Sequence, residues 1–184
     1  MVPFLIILGV LVLLGLVAIG AYNGLIRGRN QVENAWSQID VQLKRRIDLI
    51  PNLVETVKAY AAHEKDTLDA VVRARNAAIA APATPAGQAQ ADTQLTGALR
   101  QLFALSEAYP DLKANQNFLA LQEELTATEG RVAYARQFYN DSVLSYNNKL
   151  QAFPTVFFAK MMKFSKREYF EADEASREVP KVGF

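Results

Sequence analysis

Residues 1–26 carry no charged side chain, and residues 2–26 are Leu, Ile, Val, Ala, Gly and Phe interrupted only by Pro3, Tyr22 and Asn23. At about 1.5 Å per residue, a helix of that length exceeds the ~30 Å hydrocarbon core of a bilayer. The pattern predicts a transmembrane anchor over residues 1–26. A cleaved signal peptide is the rival reading, because Ala18 and Gly20 form a small-x-small pair, but no charged region precedes the apolar run and the run is too long. Beyond the anchor the pattern turns amphipathic and helical. From residue 31 to about 79, Trp36, Ile39, Leu43, Ile50, Leu53, Val57 and Tyr60 follow alternating three- and four-residue steps, with Arg46 the one misfit in the stripe. Pro51 lies inside it, where it removes a backbone donor and crowds the carbonyl of Ile47, so a kink or short break is expected there.

Residues 80–86 (AAPATPA), with Gly87 after them, predict a loop. A further helix is expected over residues 88–108, carrying Leu95, Leu99, Leu102 and Leu105 and stopping near Tyr109, since the residue before Pro110 is biased away from helix. The most regular stripe follows: Phe118, Leu121, Leu125, Thr128, Val132, Ala135, Tyr139, Ser142, Tyr146, Lys149 and Phe153 keep the alternation unbroken. Its small or polar row from Ala135 to Lys149 predicts close approach of a neighbouring helix around Ser142. Tyr139-Asn140 and Tyr146-Asn147 repeat one heptad apart, which suits buried tyrosines satisfying polar groups on neighbouring helices; ligand binding is the alternative.

Charge and chemistry narrow the picture. All 20 basic and 19 acidic residues lie beyond the anchor and leave a net charge of +1, without the basic excess of a nucleic-acid binder. With no cysteine and one histidine, His63, neither a thiolate nor a multi-histidine metal site can be assembled. His63-Glu64 begins like a zinc-peptidase helix, but Thr67 stands where the second histidine belongs. Glu123, Glu124 and Glu129 lie near Arg131 and Arg136 and read as a salt-bridged face rather than an acid/base pair. No phosphate-binding loop or nucleophile motif appears, so no cofactor and no catalytic residue is expected. Arg27 and Arg29, with Lys44, Arg45 and Arg46 behind them, place the large domain on the cytoplasmic side by the positive-inside rule.

Three features offer contact surfaces. Gly20, Gly24 and Gly28 recur at four-residue spacing and form a smooth helix face suited to self-association, or else a flexible joint. Asp48 and Asp111 sit beside Pro51 and Pro110, where they are placed to cap free backbone N–H groups; with Arg46 and Lys113 they are alternatively a contact surface. Residues 157–170 (FFAKMMKFSKREYF) put Lys160, Lys163 and Arg167 along one helical side and Phe157, Met161 and Phe164 along another. The favoured reading has these aromatics covering the end of the bundle or the Pro51 groove, with an anionic membrane surface as the other.

Residues 35–64 (AWSQIDVQLKRRIDLIPNLVETVKAYAAHE), 109–117 (YPDLKANQN), 119–136 (LALQEELTATEGRVAYAR) and the Tyr139-Asn140, Tyr146-Asn147 and Phe153-Pro154 pairs closely resemble the LemA family of bacterial membrane proteins. The resemblance implies a single N-terminal transmembrane helix, a long antiparallel helical bundle and no assigned catalytic activity. It departs where the family often carries Gly-Phe and this chain has Lys163-Phe164, so residues 155–184 are the least securely transferred. The resulting expectation is an all-α protein: an N-terminal transmembrane helix over residues 1–26, then an elongated antiparallel helical bundle of about four long helices over residues 27–184. It is expected in the cell (inner) membrane as a single-pass scaffold or interaction module whose partners are the lipid bilayer and a second copy of itself. The alternative is an adaptor or sensor regulating another membrane protein, such as a quality-control protease.

Overall fold

The computed structural model describes residues 1–171, and within them every regular element is a helix: α1 Val2–Tyr60, α2 Lys65–Ala80, α3 Pro85–Ser106, α4 Pro110–Lys113, α5 Gln116–Gln151 and α6 Thr155–Met161. The chain divides into two compact units. Residues 39–136, with residues 169–171, form a core unit; residues 1–38 and 137–168 form an anchor unit. Helices α1 and α5 contribute to both.

Of the kink or short break expected at Pro51, the break does not occur; the helix runs through it to Tyr60. The reason lies on α2. A proline at position 51 leaves the carbonyl of Ile47 without its helical N–H partner, and Arg75 Nε donates to that oxygen at 3.2 Å. The expected long helix over 31–79 is instead interrupted at residues 61–64, where α2 turns back along α1.

The core unit is an up-down-up-down bundle. Ile47 meets Arg75, so α2 is antiparallel to α1; Arg46 meets Asp92 and Tyr109 meets Glu64, so α3 runs parallel to α1; Arg45 meets Glu124 and Tyr60 meets Asn115, so α5 comes back antiparallel. Ile50, Leu53, Val57, Leu68, Val71, Leu95, Leu99, Leu102, Leu112, Phe118 and Leu125 fill one apolar core between these helices. Helix α3 begins three residues earlier than the sequence suggests, because Thr84 Oγ1 accepts from Gly87 N at 3.2 Å and Pro85 occupies the first turn, where no backbone donor is needed.

On α5 the stripe from Phe118 to Tyr146 is buried, with Leu121 half-buried, but its predicted end is not: Lys149 and Phe153 are exposed, and Val143, Asn147 and Leu150 are buried instead. A helix of about 3.6 residues per turn drifts from a 3.5-residue pattern. Val143 and Leu150 stand five such turns beyond Leu125 and Val132, so they face the way those residues face.

In the anchor unit, α1 and α5 pack antiparallel. Trp36 meets Tyr139 at a ring separation of 5.6 Å, and a Cβ at Gly28 would stand 3.1 Å from Tyr146 Cδ2. The close approach seen in the structure is made by Gly28 of α1 against Tyr146, not by the small or polar row around Ser142. Toward the N-terminus α1 continues alone: residues 2–17 are all exposed, and α1 is long and apolar enough near this end to cross a membrane.

The helix expected through residues 157–170 ends at Met161. Lys163 adopts φ 57°, Phe164 N donates to Ala159 O at 3.0 Å and Lys163 N to Lys160 O at 3.2 Å, which is the paired bonding of a Schellman C-terminus. Lys163 thus takes the left-handed position at the place where the resembling sequences often have glycine. The following strap is not helical. Its Phe164 packs edge-on against Tyr22 at 6.2 Å and lies under the Arg29 guanidinium at 6.0 Å.

Candidate functional site

Arg46, the misfit of the α1 stripe, points inward and is 2% exposed. Its Nη1 donates to Asp92 Oδ1 at 2.7 Å and to Thr96 Oγ1 at 2.9 Å, and Thr96 in turn donates to the Asp92 carbonyl at 2.8 Å. Nη2 lies 3.8 Å from Glu129 Oε2, whose other oxygen is 3.7 Å from Arg100. The knot thus ties α1, α3 and α5 at one level. Asp92 is a buried member of the α3 stripe, in register with Leu95, Leu99 and Leu102. A buried guanidinium needs this pairing, since an uncompensated charge in the interior is strongly unfavourable. Asp92, Thr96, Arg100, Glu129 and Arg136 line a cleft of about 380 Å³ beside it.

The remaining residues expected to form contact surfaces do not converge with Arg46. Asp48, two positions further along α1, is exposed in mid-helix, where there is no free N–H group to cap. Asp111 lies in the first turn of α4, but no side chain caps that helix. The capping role falls to Asn115, whose Oδ1 accepts from Phe118 N at 3.0 Å while its Nδ2 donates to Tyr60 Oη at 2.9 Å. Lys113 pairs with Glu107 on the surface. Asp111, Tyr60 and Asn115 border an open cleft of about 510 Å³ at this end of the core unit. There Tyr109 donates to Glu64 Oε1 at 2.8 Å, and the bond to that carboxylate raises the phenol above its ordinary range. His63 is exposed, and among the described residues no cluster of His, Asp and Glu is arranged to hold a metal ion.

The glycine row is split. Gly28 is already filled against Tyr146, whereas a Cβ at Gly20 or Gly24 would meet nothing within 4 Å. In the tyrosine-asparagine repeat the Tyr139 and Tyr146 rings pack against α1, while the Tyr139 hydroxyl and the Asn147 amide bind the strap. Tyr139 Oη donates to Glu168 O at 2.9 Å, Asn147 Nδ2 donates to Arg167 O at 3.0 Å, and Asn147 Oδ1 accepts from Arg167 N at 2.9 Å. Burial holds both the Tyr139 and Tyr146 phenols above their ordinary value, with Arg167 partly offsetting it. Arg167 also reaches Glu33 on α1 at 3.1 Å.

Of the carboxylates weighed at Glu123 and Glu124, with Glu129 after them, Glu123 is exposed and the other two are engaged in ion pairs. Glu124 joins Arg45 at 2.7 Å and Arg131 at 3.1 Å, and Glu129 joins Arg46 and Arg100. Asp92, Thr96 and Arg75 escaped the sequence reading. A signal for Asp92 existed, because it is a charged residue in an apolar stripe, of opposite sign to the Arg46 misfit. For Arg75, which serves a backbone atom, there was none.

A sequence model described as the LemA family matches residues 35–184. Protein LemA of Metamycoplasma hominis is 26% identical over 161 residues, covering 88% of this chain and 74% of that protein. Magnetosome protein MamQ of Magnetospirillum gryphiswaldense and Magnetosome protein MamQ 2 of Paramagnetospirillum magneticum are each 24% identical over 179 residues, covering 84% of this chain and 66% of theirs.

Proposed function

Because the chain belongs to the LemA family, we propose that it is a membrane-anchored helical scaffold or protein-interaction module without catalytic activity of its own. The observation that carries this reading is the behaviour of α1. One uninterrupted helix contributes Ile50, Leu53 and Val57 to a closed core, yet leaves every residue from 2 to 17 without cover from its own chain. Apolar surface on that scale calls for a partner, and its length suits a bilayer. The polar residues of the motifs support the absence of chemistry, since Arg46 and Asp92 neutralise each other in the core and Asn147 holds a strap.

Arg27 and Arg29 at the exit of the span put the bundle on the cytoplasmic side of the cell membrane in this proposal. The open Gly20 and Gly24 face is the surface offered to a second copy. Affinity isolation from gently solubilised membranes, with size analysis, tests the reading: a homo-oligomer supports the scaffold, and a stoichiometric foreign membrane protein supports the adaptor instead. Protease added outside spheroplasts should leave the bundle uncut, and its cleavage there would reverse the orientation. Gly20→Ile with Gly24→Ile should reduce crosslinking in membranes, and undiminished crosslinking would remove the glycine face from the proposal.

A further inference from the structure

The anchor unit leaves a second apolar surface uncovered. In the turn after α5 and along α6, Phe153 is 80% exposed, Phe157 64% and Met161 69%, although each is large and apolar. They follow one another at four-residue spacing, and the Phe153 and Phe157 rings stand edge to face at 5.9 Å. Around them the charge has one sign. Residues 149–166 contain Lys149, Lys160, Lys163 and Lys166 and no Asp or Glu, while Arg167 beyond them pairs with Glu33. Exposed aromatics among lysines are what an interfacial segment presents to a membrane.

Position decides what covers this surface. Gly28 faces Tyr146, and α1 and α5 run antiparallel, so the end of α5 at Gln151 draws level with about residue 23 of α1. Phe164, closing the turn, packs on Tyr22 and confirms that level. From there the uncovered helix extends back to residue 2, about 20 residues or ~30 Å, which is the thickness of the hydrocarbon core. The turn therefore stands where the span meets the headgroups, with Tyr22 as an interfacial aromatic beside it.

We infer that the α5–α6 turn is a second membrane contact, in which Phe153, Phe157 and Met161 enter the acyl boundary beside the anchor and Lys160, Lys163 and Lys166 bind anionic headgroups. It rests on the reading of α1 as a membrane anchor. The occupant is the same bilayer that α1 crosses, because the patch is continuous with the exit of the span and its charge is complementary to anionic lipid. The contact would fix the tilt of the unit on the membrane, which a single helix leaves free.

The experiment uses the full chain reconstituted in phosphatidylcholine vesicles with and without phosphatidylglycerol, the lipids being brominated near the carbonyl end of their chains. With the native tryptophan removed by Trp36→Phe, a single fluorophore is introduced by Phe157→Trp, or by Ser37→Trp as a control further along α1 and exposed. Flotation after an alkaline wash reads the anchor separately. The expected result is that the Phe157→Trp probe is blue-shifted and loses about half its emission or more, while the Ser37→Trp probe is unquenched. Adding Lys160→Glu and Lys166→Glu should weaken the quenching in the phosphatidylglycerol vesicles. Chains that float but quench equally at the two positions overturn the contact and leave the anchor standing. Chains that do not float overturn the anchor itself and with it the contact. Quenching unchanged by phosphatidylglycerol and by the lysine substitutions overturns the headgroup assignment.

Discussion

In the core unit four helical segments surround continuous apolar layers from Ile50 to Leu125 and admit the buried Arg46–Asp92 ion pair, whereas in the anchor unit two long helices meet and a non-helical strap supplies the third side. The difference follows from what each must satisfy. Helices meet their own backbone hydrogen-bonding needs, so the core unit can be closed by side-chain shape. A strap does not, and its N–H and C=O groups require partners. Asn147 gives Arg167 both a donor and an acceptor, and Tyr139 supplies Glu168 with a donor. The Arg46–Asp92 pair and Asn147 are therefore different uses of a buried polar side chain: the first two neutralise each other, and the third holds the backbone of the strap.

The sharpest way to break this comparison is at the charge knot. Arg46→Ala should lower unfolding stability by about 3–5 kcal/mol, because Asp92 is left buried and unpaired. Replacing both partners, Arg46→Met with Asp92→Leu, should recover most of that loss. Urea unfolding followed by helicity reads both, and a double variant as unstable as the single one would contradict pairing as the knot's role. The apolar side is probed by Leu125→Ala, expected to cost about 2–5 kcal/mol at so fully buried a site. Its neighbour Glu124→Ala should cost no more than about 1 kcal/mol, since the ion pairs it loses are partly solvated. Equal effects would mean that α5 buries the other face.

Smaller effects sharpen the strap. Asn147→Ala should destabilise by about 1–3 kcal/mol and, unlike Leu125→Ala, accelerate hydrogen exchange at the Arg167 amide. Exchange unchanged at that amide would separate the strap from Asn147. Tyr139 gives a pH signature of the same region. Its folded-state pKa is raised by burial above the ordinary 10.0, so the native state holds the phenolic proton longer than the unfolded chain does. That contribution is full below pH about 10 and is lost as pH rises through the raised value. Tyr139→Phe should remove this part of the alkaline fall in melting temperature, and an identical fall in both proteins would exclude Tyr139 as its source.

Legibility followed the kind of force involved. Apolar periodicity announced the α1 and α5 seams, and the α5 reading failed only at Lys149 and Phe153, where a 3.5-residue template outran a real helix. The anchor was legible from composition. Proline, by contrast, misled: its effect at position 51 depends on Arg75, which is far away in sequence and has no periodic signature. The strap was hidden for a similar reason. Residues 162–170 have helical spacing, but the C-terminus at Lys163 and the hydrogen bonds from Asn147 and Tyr139 hold them in another conformation. Arg46 was visible as an anomaly, and its meaning required its complement at Asp92.

The bond from Arg75 to the Ile47 carbonyl makes two positions historically dependent on each other. With proline at 51, losing the guanidinium leaves that carbonyl without a donor; with alanine there, the helix would supply its own N–H and Arg75 would be dispensable for this purpose. The sequence changes therefore do not commute. A lineage can discard Arg75 without disturbing α1 only after it has discarded Pro51, and it can acquire Pro51 without harm only while a donor already stands on α2. What looks like a tolerated helix breaker is a proline whose orphaned backbone oxygen is met from another helix.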